Sequence, residues 1–215
     1  MNPLQFITQK QDDLTPQDQA ALACQGGARW IQVRVKNEPE EVVRAIAESV
    51  QEICQACGAK LIINDYPEIA AAIGADGVHL GKEDIHPSEA RKILGKDAII
   101  GGTANTMEDI LRIKDDVDYI GLGPLRFTET KDNLSPVLGL EGYKKILSEM
   151  KEQGIDIPVY AIGGIRMEDI NPLLFAGVAG IAVSSLISRA DDPMTTTDRI
   201  NAILERRHLN RPTIC

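Results

Sequence analysis

A chain of 215 residues, 43% hydrophobic and 26% charged, can bury a full core and falls in the length range of one barrel or doubly wound domain. Its formal net charge of -9 argues against a general polyanion-binding surface, so nucleic acid is not an expected partner and any anion site has to be local. There is no apolar run of about eighteen residues, and the opening MNPLQFITQK lacks a cationic segment followed by a long apolar one. No membrane partner or export is expected, and the predicted location is the cytoplasm.

LQFIT (4–8) is the first of eight short runs rich in Ile and Val. WIQVRV (30–35), AKLIIN (59–64), DGVHL (76–80), AIIGG (98–102), DYIGLG (118–123), IPVYAIGG (157–164) and AGIAVSS (179–185) follow it. Between them lie segments with apolar residues at three- and four-residue spacing: EEVVRAIAESVQEICQAC (40–57), SEARKIL (88–94), MEDILRI (107–113), LEGYKKILSEM (140–150) and MEDINPLLFAG (167–177). Strands buried on both faces and separated by helices predict a parallel sheet with right-handed crossovers. Eight such units fit an α/β fold of the (β/α)8 TIM-barrel kind, a single domain over 1–215 with an irregular tail from about 208. A doubly wound open sheet is the alternative, but FITQKQDDLTPQD after the first strand lacks its glycine-rich turn. Cys54 and Cys57 form a CxxC inside a helical run with no second pair at zinc spacing. With Cys24 and Cys215 they read as ordinary thiols of a reducing compartment.

In such a barrel the site lies at the C-terminal ends of the strands. Gln32, Arg34 and Lys36 alternate after strand 2, Asn64 and Asp65 follow strand 3, and Glu83 and Asp84 follow strand 4. Thr103 and Asn105 follow strand 5, Thr128, Thr130 and Lys131 strand 6, Gly163 and Gly164 strand 7, and Ser184 and Ser185 strand 8. Each has a plain reading: Asp65 and Asp84 as helix caps, Arg34 and Lys36 as solvated bases, His79 as a core histidine. Their gathering at one mouth favours a functional one.

AIGGI and AVSSLI match a barrel phosphate cradle made by the last two loops. Arg34, Lys36, Lys131 and Asn64 exceed the needs of one phosphate and point to a larger anion. Two carboxylates beside that anion make sense with Mg²⁺ between them, which sets Asp65 and Asp84 as its ligands. Within the connection GPLRFTETKDNLSPVLGLEG (123–142), the run from Gly123 to Gly139 is too long and polar for a packed connector and is expected to close over the site.

QVRVK (32–36), IND (63–65), ADGVHLGKED (75–84), GLGPLRFTETK (121–131), AIGGI (161–165) and GIAVSS (180–185) stand in the order and spacing of thiamine phosphate synthase, which the chain resembles from about Leu4 to Ile187. The resemblance implies a Mg²⁺-dependent transferase. It would join a hydroxymethylpyrimidine diphosphate to a thiazole monophosphate, both small-molecule partners, with homo-oligomer formation left open. It implies that Gln32 holds the aminopyrimidine and that Arg34, Lys36, Asn64 and Lys131 hold the diphosphate. Thr128 and Thr130 belong to the closing loop, and Gly164, Val183 and Ser184 hold the thiazole phosphate. Thr103 keeps a hydroxyl where the family has Ser, and it joins Arg34, Lys36 and Lys131 as an expected catalytic residue.

Asn105 stands where the family has His, Arg126-Phe127 where it has Phe-Pro, and Lys82 where Gln is usual. Arg126 is expected to add an anion contact. Two rivals share the fold: a thiazole tautomerase, which would depend on the missing histidine, and a non-catalytic barrel that binds a phosphate ligand.

Overall fold

The structure is a computed structural model that describes residues 1–127 and 136–209, the last three by backbone alone. Eight parallel strands close into a barrel in chain order: β1 (Leu4–Ile7), β2 (Trp30–Val33), β3 (Lys60–Asn64), β4 (Gly77–Leu80), β5 (Ile99–Ala104), β6 (Tyr119–Leu122), β7 (Val159–Ile162) and β8 (Gly180–Val183). Helices α1 (Pro16–Gln25), α2 (Glu40–Cys57), α3 (Pro67–Ile73), α4 (Pro87–Leu94), α5 (Met107–Ile113), α6 (Gly139–Glu152) and α7 (Ile170–Ala176) carry the chain from each strand to the next. Beyond β8 come α8 (Ser185–Ser188) and α9 (Pro193–Leu209). The expected (β/α)8 barrel is the observed fold, and β1 against β8 closes it, with Leu4 opposite Ile181 and Phe6 opposite Val183.

The strands do not coincide with their apolar runs at the ends, and two of the differences bear on the mouth. β2 stops at Val33 rather than 35, because the next amide, Arg34 N–H, donates to the Thr8 hydroxyl (3.0 Å) instead of to a strand. β5 runs on through Thr103 and Ala104, which pair with Gly121 and Leu122 of β6. Thr103 is therefore a strand residue.

The two-residue period of each strand makes two cores. Leu4, Phe6, Ile31, Val33, Leu61 and Ile63 join the layer between strands and helices, while Trp30, Ile62, Tyr119 and Tyr160 fill the barrel interior. Trp30 packs edge-on to Tyr119 and Tyr160 at centroid distances of 4.8 and 4.9 Å. At the lower end, ahead of β4 and β6, two acids tie neighbouring units together. Asp76 accepts Leu61 N–H (2.9 Å) and pairs with Lys60 (2.8 Å), and Asp118 accepts Ile100 N–H (2.8 Å) and pairs with Arg91 (2.7 Å). Cys54 and Cys57 are free thiols on α2 that meet Cys24 of α1. Among the described residues no helix is long and apolar enough to cross a membrane.

Candidate functional site

A cavity of about 120 Å³ opens at the C-terminal mouth, lined among others by Thr8, Gln9, Arg34, Thr103, Gly163, Gly164, Val183 and Ser184. Gly163 and Gly164 take left-handed backbone (φ 90° and 67°). A Cβ on Gly163 would lie 2.6 Å from Pro124 Cβ, and one on Gly164 2.9 Å from Arg126 Cβ, so glycine alone lets this turn lie against the chain leaving β6. Ser184 caps α8, and its hydroxyl is buried without a hydrogen-bond partner among the described residues. Such a group is costly unless a ligand completes it.

Across the mouth, Asp65 has a left-handed backbone (φ 69°), rare for a residue with a side chain. Its amide donates to His79 O of β4 (2.9 Å), and its carboxylate pairs with Lys36 Nζ from the loop after β2. Asp84 Oδ2 accepts Gly81 N–H (2.6 Å). Burial, and then the facing Asp65, push the Asp84 carboxyl up from 3.8 to about 6, against the opposing pull of the Gly81 amide and Lys36. Asn64 is buried beside them, and its Nδ2 has no partner among the described residues. Neither acid is a helix cap: the α3 cap is Tyr66, and the α4 cap is His86, whose ring accepts Ser88 N–H. The capping reading of Asp65 and Asp84 therefore fails.

Two facing oxygen-donor side chains, one with its pKa raised by burial and then by the other, fit a hard divalent cation. Among the described residues no three His, Cys, Asp or Glu side chains form a metal cage, so such a cation would complete its shell with ligand or water oxygens.

The structure brings Gln32, Arg34, Lys36, Asn64, Asp65, Asp84, Thr103, Gly164, Val183 and Ser184 to one end of the barrel. Thr128, Thr130 and Lys131, with the middle of the expected closing loop, lie outside the described residues. Arg126 corrects an expectation: its guanidinium is engaged bidentately by Asp169 and also donates to Gly164 O (3.3 Å), so it ties two loops together. Asn105 Nδ2 donates to Gly123 O, and Lys82 pairs with Asp109 (3.2 Å), the N3 acid of the α5 capping box. The sequence reading passed over Thr8 and Gln9, although a polar pair directly after the apolar run LQFI marks the mouth end of β1.

A closed (β/α)8 barrel with its polar side chains gathered at the C-terminal mouth, around a glycine turn and a carboxylate pair, is of the enzyme-bearing class of such barrels. The family model described as thiamine monophosphate synthase matches residues 4–187. The thiamine-phosphate synthase of Phocaeicola vulgatus is 52% identical over 198 residues, covering 92% of this chain and 95% of that protein. That of Bacteroides thetaiotaomicron is 51% identical, covering 93% and 96%. The solved thiamine phosphate pyrophosphorylase from Pyrococcus furiosus superposes with a TM-score of 0.82 at 32% identity, covering 94% of this chain and 95% of the other. The chain belongs to the thiamine monophosphate synthase family.

Proposed function

We propose that this protein is a transferase that couples 4-amino-2-methyl-5-hydroxymethylpyrimidine diphosphate to thiazole monophosphate, releasing diphosphate and forming thiamine phosphate. The observation that carries the reading is the facing pair Asp65 and Asp84, set beside Lys36 and across the mouth from the glycine turn and Ser184. Two separate anion subsites suit a reaction between a diphosphate and a monophosphate.

In this reading Gln32 orients the aminopyrimidine. Arg34 and Lys36, with Asn64 and Lys131, receive the diphosphate, whose charge grows as its bond to the pyrimidinylmethyl carbon breaks. The backbone of Gly164 and Val183 and the hydroxyl of Ser184 receive the thiazole phosphate, and Thr128 and Thr130 belong to the same side. Asp65 and Asp84 would hold Mg²⁺, which when bound supplies positive charge beside the leaving group. Thr103 adds a hydroxyl between the two subsites. The thiazole nitrogen is already a nucleophile, so no side chain has to remove a proton from it.

The test is incubation of the protein with both substrates and Mg²⁺, followed by detection of thiamine phosphate and diphosphate. Lys36→Ala is expected to lower kcat by on the order of a hundredfold, more than it raises KM, because it acts on charge that develops in the transition state. Thiazole isomerisation without coupling, or coupling unaffected by Lys36→Ala, overturns the reading.

A further inference from the structure

His79 has no part in the reading above, yet it is buried in β4 at 5% exposure with both ring nitrogens engaged. A hydrogen-bond chain runs through it across the barrel interior. Gln32 Nε2 donates to Gln5 Oε1 (3.1 Å), and Gln5 Nε2 donates to the Tyr119 hydroxyl (3.0 Å). That hydroxyl lies 3.0 Å from His79 Nδ1, and His79 Nε2 lies 3.0 Å from Thr103 Oγ1. Both ends of the chain, Gln32 and Thr103, are residues assigned to the ligand.

The chain has a direction. The Tyr119 oxygen accepts from Gln5 Nε2, and among the described residues His79 Nδ1 is the acceptor within reach of its buried hydroxyl proton, so that proton is satisfied when Nδ1 is unprotonated and receives it. The imidazole then carries its own hydrogen on Nε2 and gives it to Thr103 Oγ1. Thr103 accepts on the barrel side, so its proton is left for an acceptor on the side where it lines the cavity.

The rings are held where this requires. A Cβ on Gly101 would lie 2.2 Å from Tyr119 Cζ and 2.5 Å from His79 Nδ1, and a Cβ on Gly121 3.0 Å from His79 Cε1, so two glycines of β5 and β6 make the slot. Tyr119 is backed by Trp30 and by Tyr160, the latter at 5.6 Å.

We infer that Tyr119 and His79 are positioning residues that lock Thr103 as a hydrogen-bond donor toward the cavity, for an anionic oxygen or other lone pair of the ligand. This rests on the reading of the mouth as the substrate site. A reversed chain would make Thr103 donate to the imidazole and offer the ligand only an acceptor, which suits a phosphate oxygen poorly.

The experiment is nitrogen NMR of ¹⁵N-histidine protein without ligand. The chain has three histidines, and His86→Ala and His208→Ala assign the other two. His79 is expected as the neutral Nε2–H tautomer at pH 7.5. Tyr119→Phe, and separately Gln5→Met, should each mix the tautomers while circular dichroism stays unchanged. In the coupling assay Tyr119→Phe and Thr103→Val should each lower kcat/KM roughly tenfold, with Thr103→Ser restoring it. An Nδ1–H or doubly protonated His79, or a Tyr119→Phe protein with unchanged tautomer, overturns the inference. The tautomer is read without turnover, so failure of the proposed reaction and failure of this inference are told apart.

Discussion

Asp118 at the lower end of the barrel and Asp84 at its mouth are the same residue in opposite circumstances. Asp118 accepts a strand amide and pairs with Arg91, and Asp76 does the same work with Leu61 N–H and Lys60. Asp84 has one backbone donor, and burial together with a facing carboxylate pushes its carboxyl up to about 6. The lower acids bind the barrel together, and the upper pair is held in place by it. On a chain of net charge -9, the cost of two close acids at the mouth makes sense as readiness for a cationic or charge-compensated ligand.

The largest effect is expected below. Asp118→Ala leaves the Ile100 amide without its acceptor, which costs about 2 kcal/mol in urea unfolding followed by circular dichroism. A loss within experimental error would remove the lower half of the contrast.

Asp84→Asn should have the opposite sign. The folded carboxyl titrates near 6 and the unfolded one near 3.8, so the folded state holds the extra proton between those values. This group's favourable contribution is complete below the lower value and is lost as the pH rises through the upper one. In EDTA at pH 7.5 the variant is expected to melt higher by about 1 kcal/mol, or ~2–4 °C, with coupling activity lost. The gain should shrink as the pH is lowered toward 4, and added Mg²⁺ should stabilise the parent more than the variant. Melting curves that coincide at both pH values would break the comparison.

Asp169 sharpens it, being a mouth acid that behaves like a lower one. Arg126 beside it and the Arg166 amide hold its carboxyl below the usual value despite burial. Asp169→Asn is expected to cost less than about 1 kcal/mol, as a partly exposed pair does, and to leave KM for the monophosphate within about twofold. A large rise in KM would return Arg126 to the ligand.

The strands were legible because burial on both faces writes continuous Ile and Val runs, and the mouth because alternate residues after each run share a side. What escaped depends on partners far apart in sequence. Nothing in RFTET marks Arg126 as the partner of Asp169, 43 residues on. Gln5, Tyr119 and His79 meet only once the barrel closes, so Gln5 reads as a stray polar residue in an apolar run. The left-handed backbone of Asp65 is likewise invisible, because the sequence offers Asp where glycine would announce such a turn. Thr8 and Gln9 could have been found, by giving β1 the same inspection as the other strand ends.

The seam between β1 and β8 has a consequence for how the protein is made. Leu4 and Ile181 pair across nearly the whole chain, so the first strand emerges from the ribosome long before its second neighbour exists. Until β8 is synthesised, the free edge of β1 and the interior face carrying Trp30 and Tyr119 are open to other chains. Slowing translation within the last third of the message should therefore lengthen the window in which nascent chains associate, and should lower soluble yield without altering the finished fold.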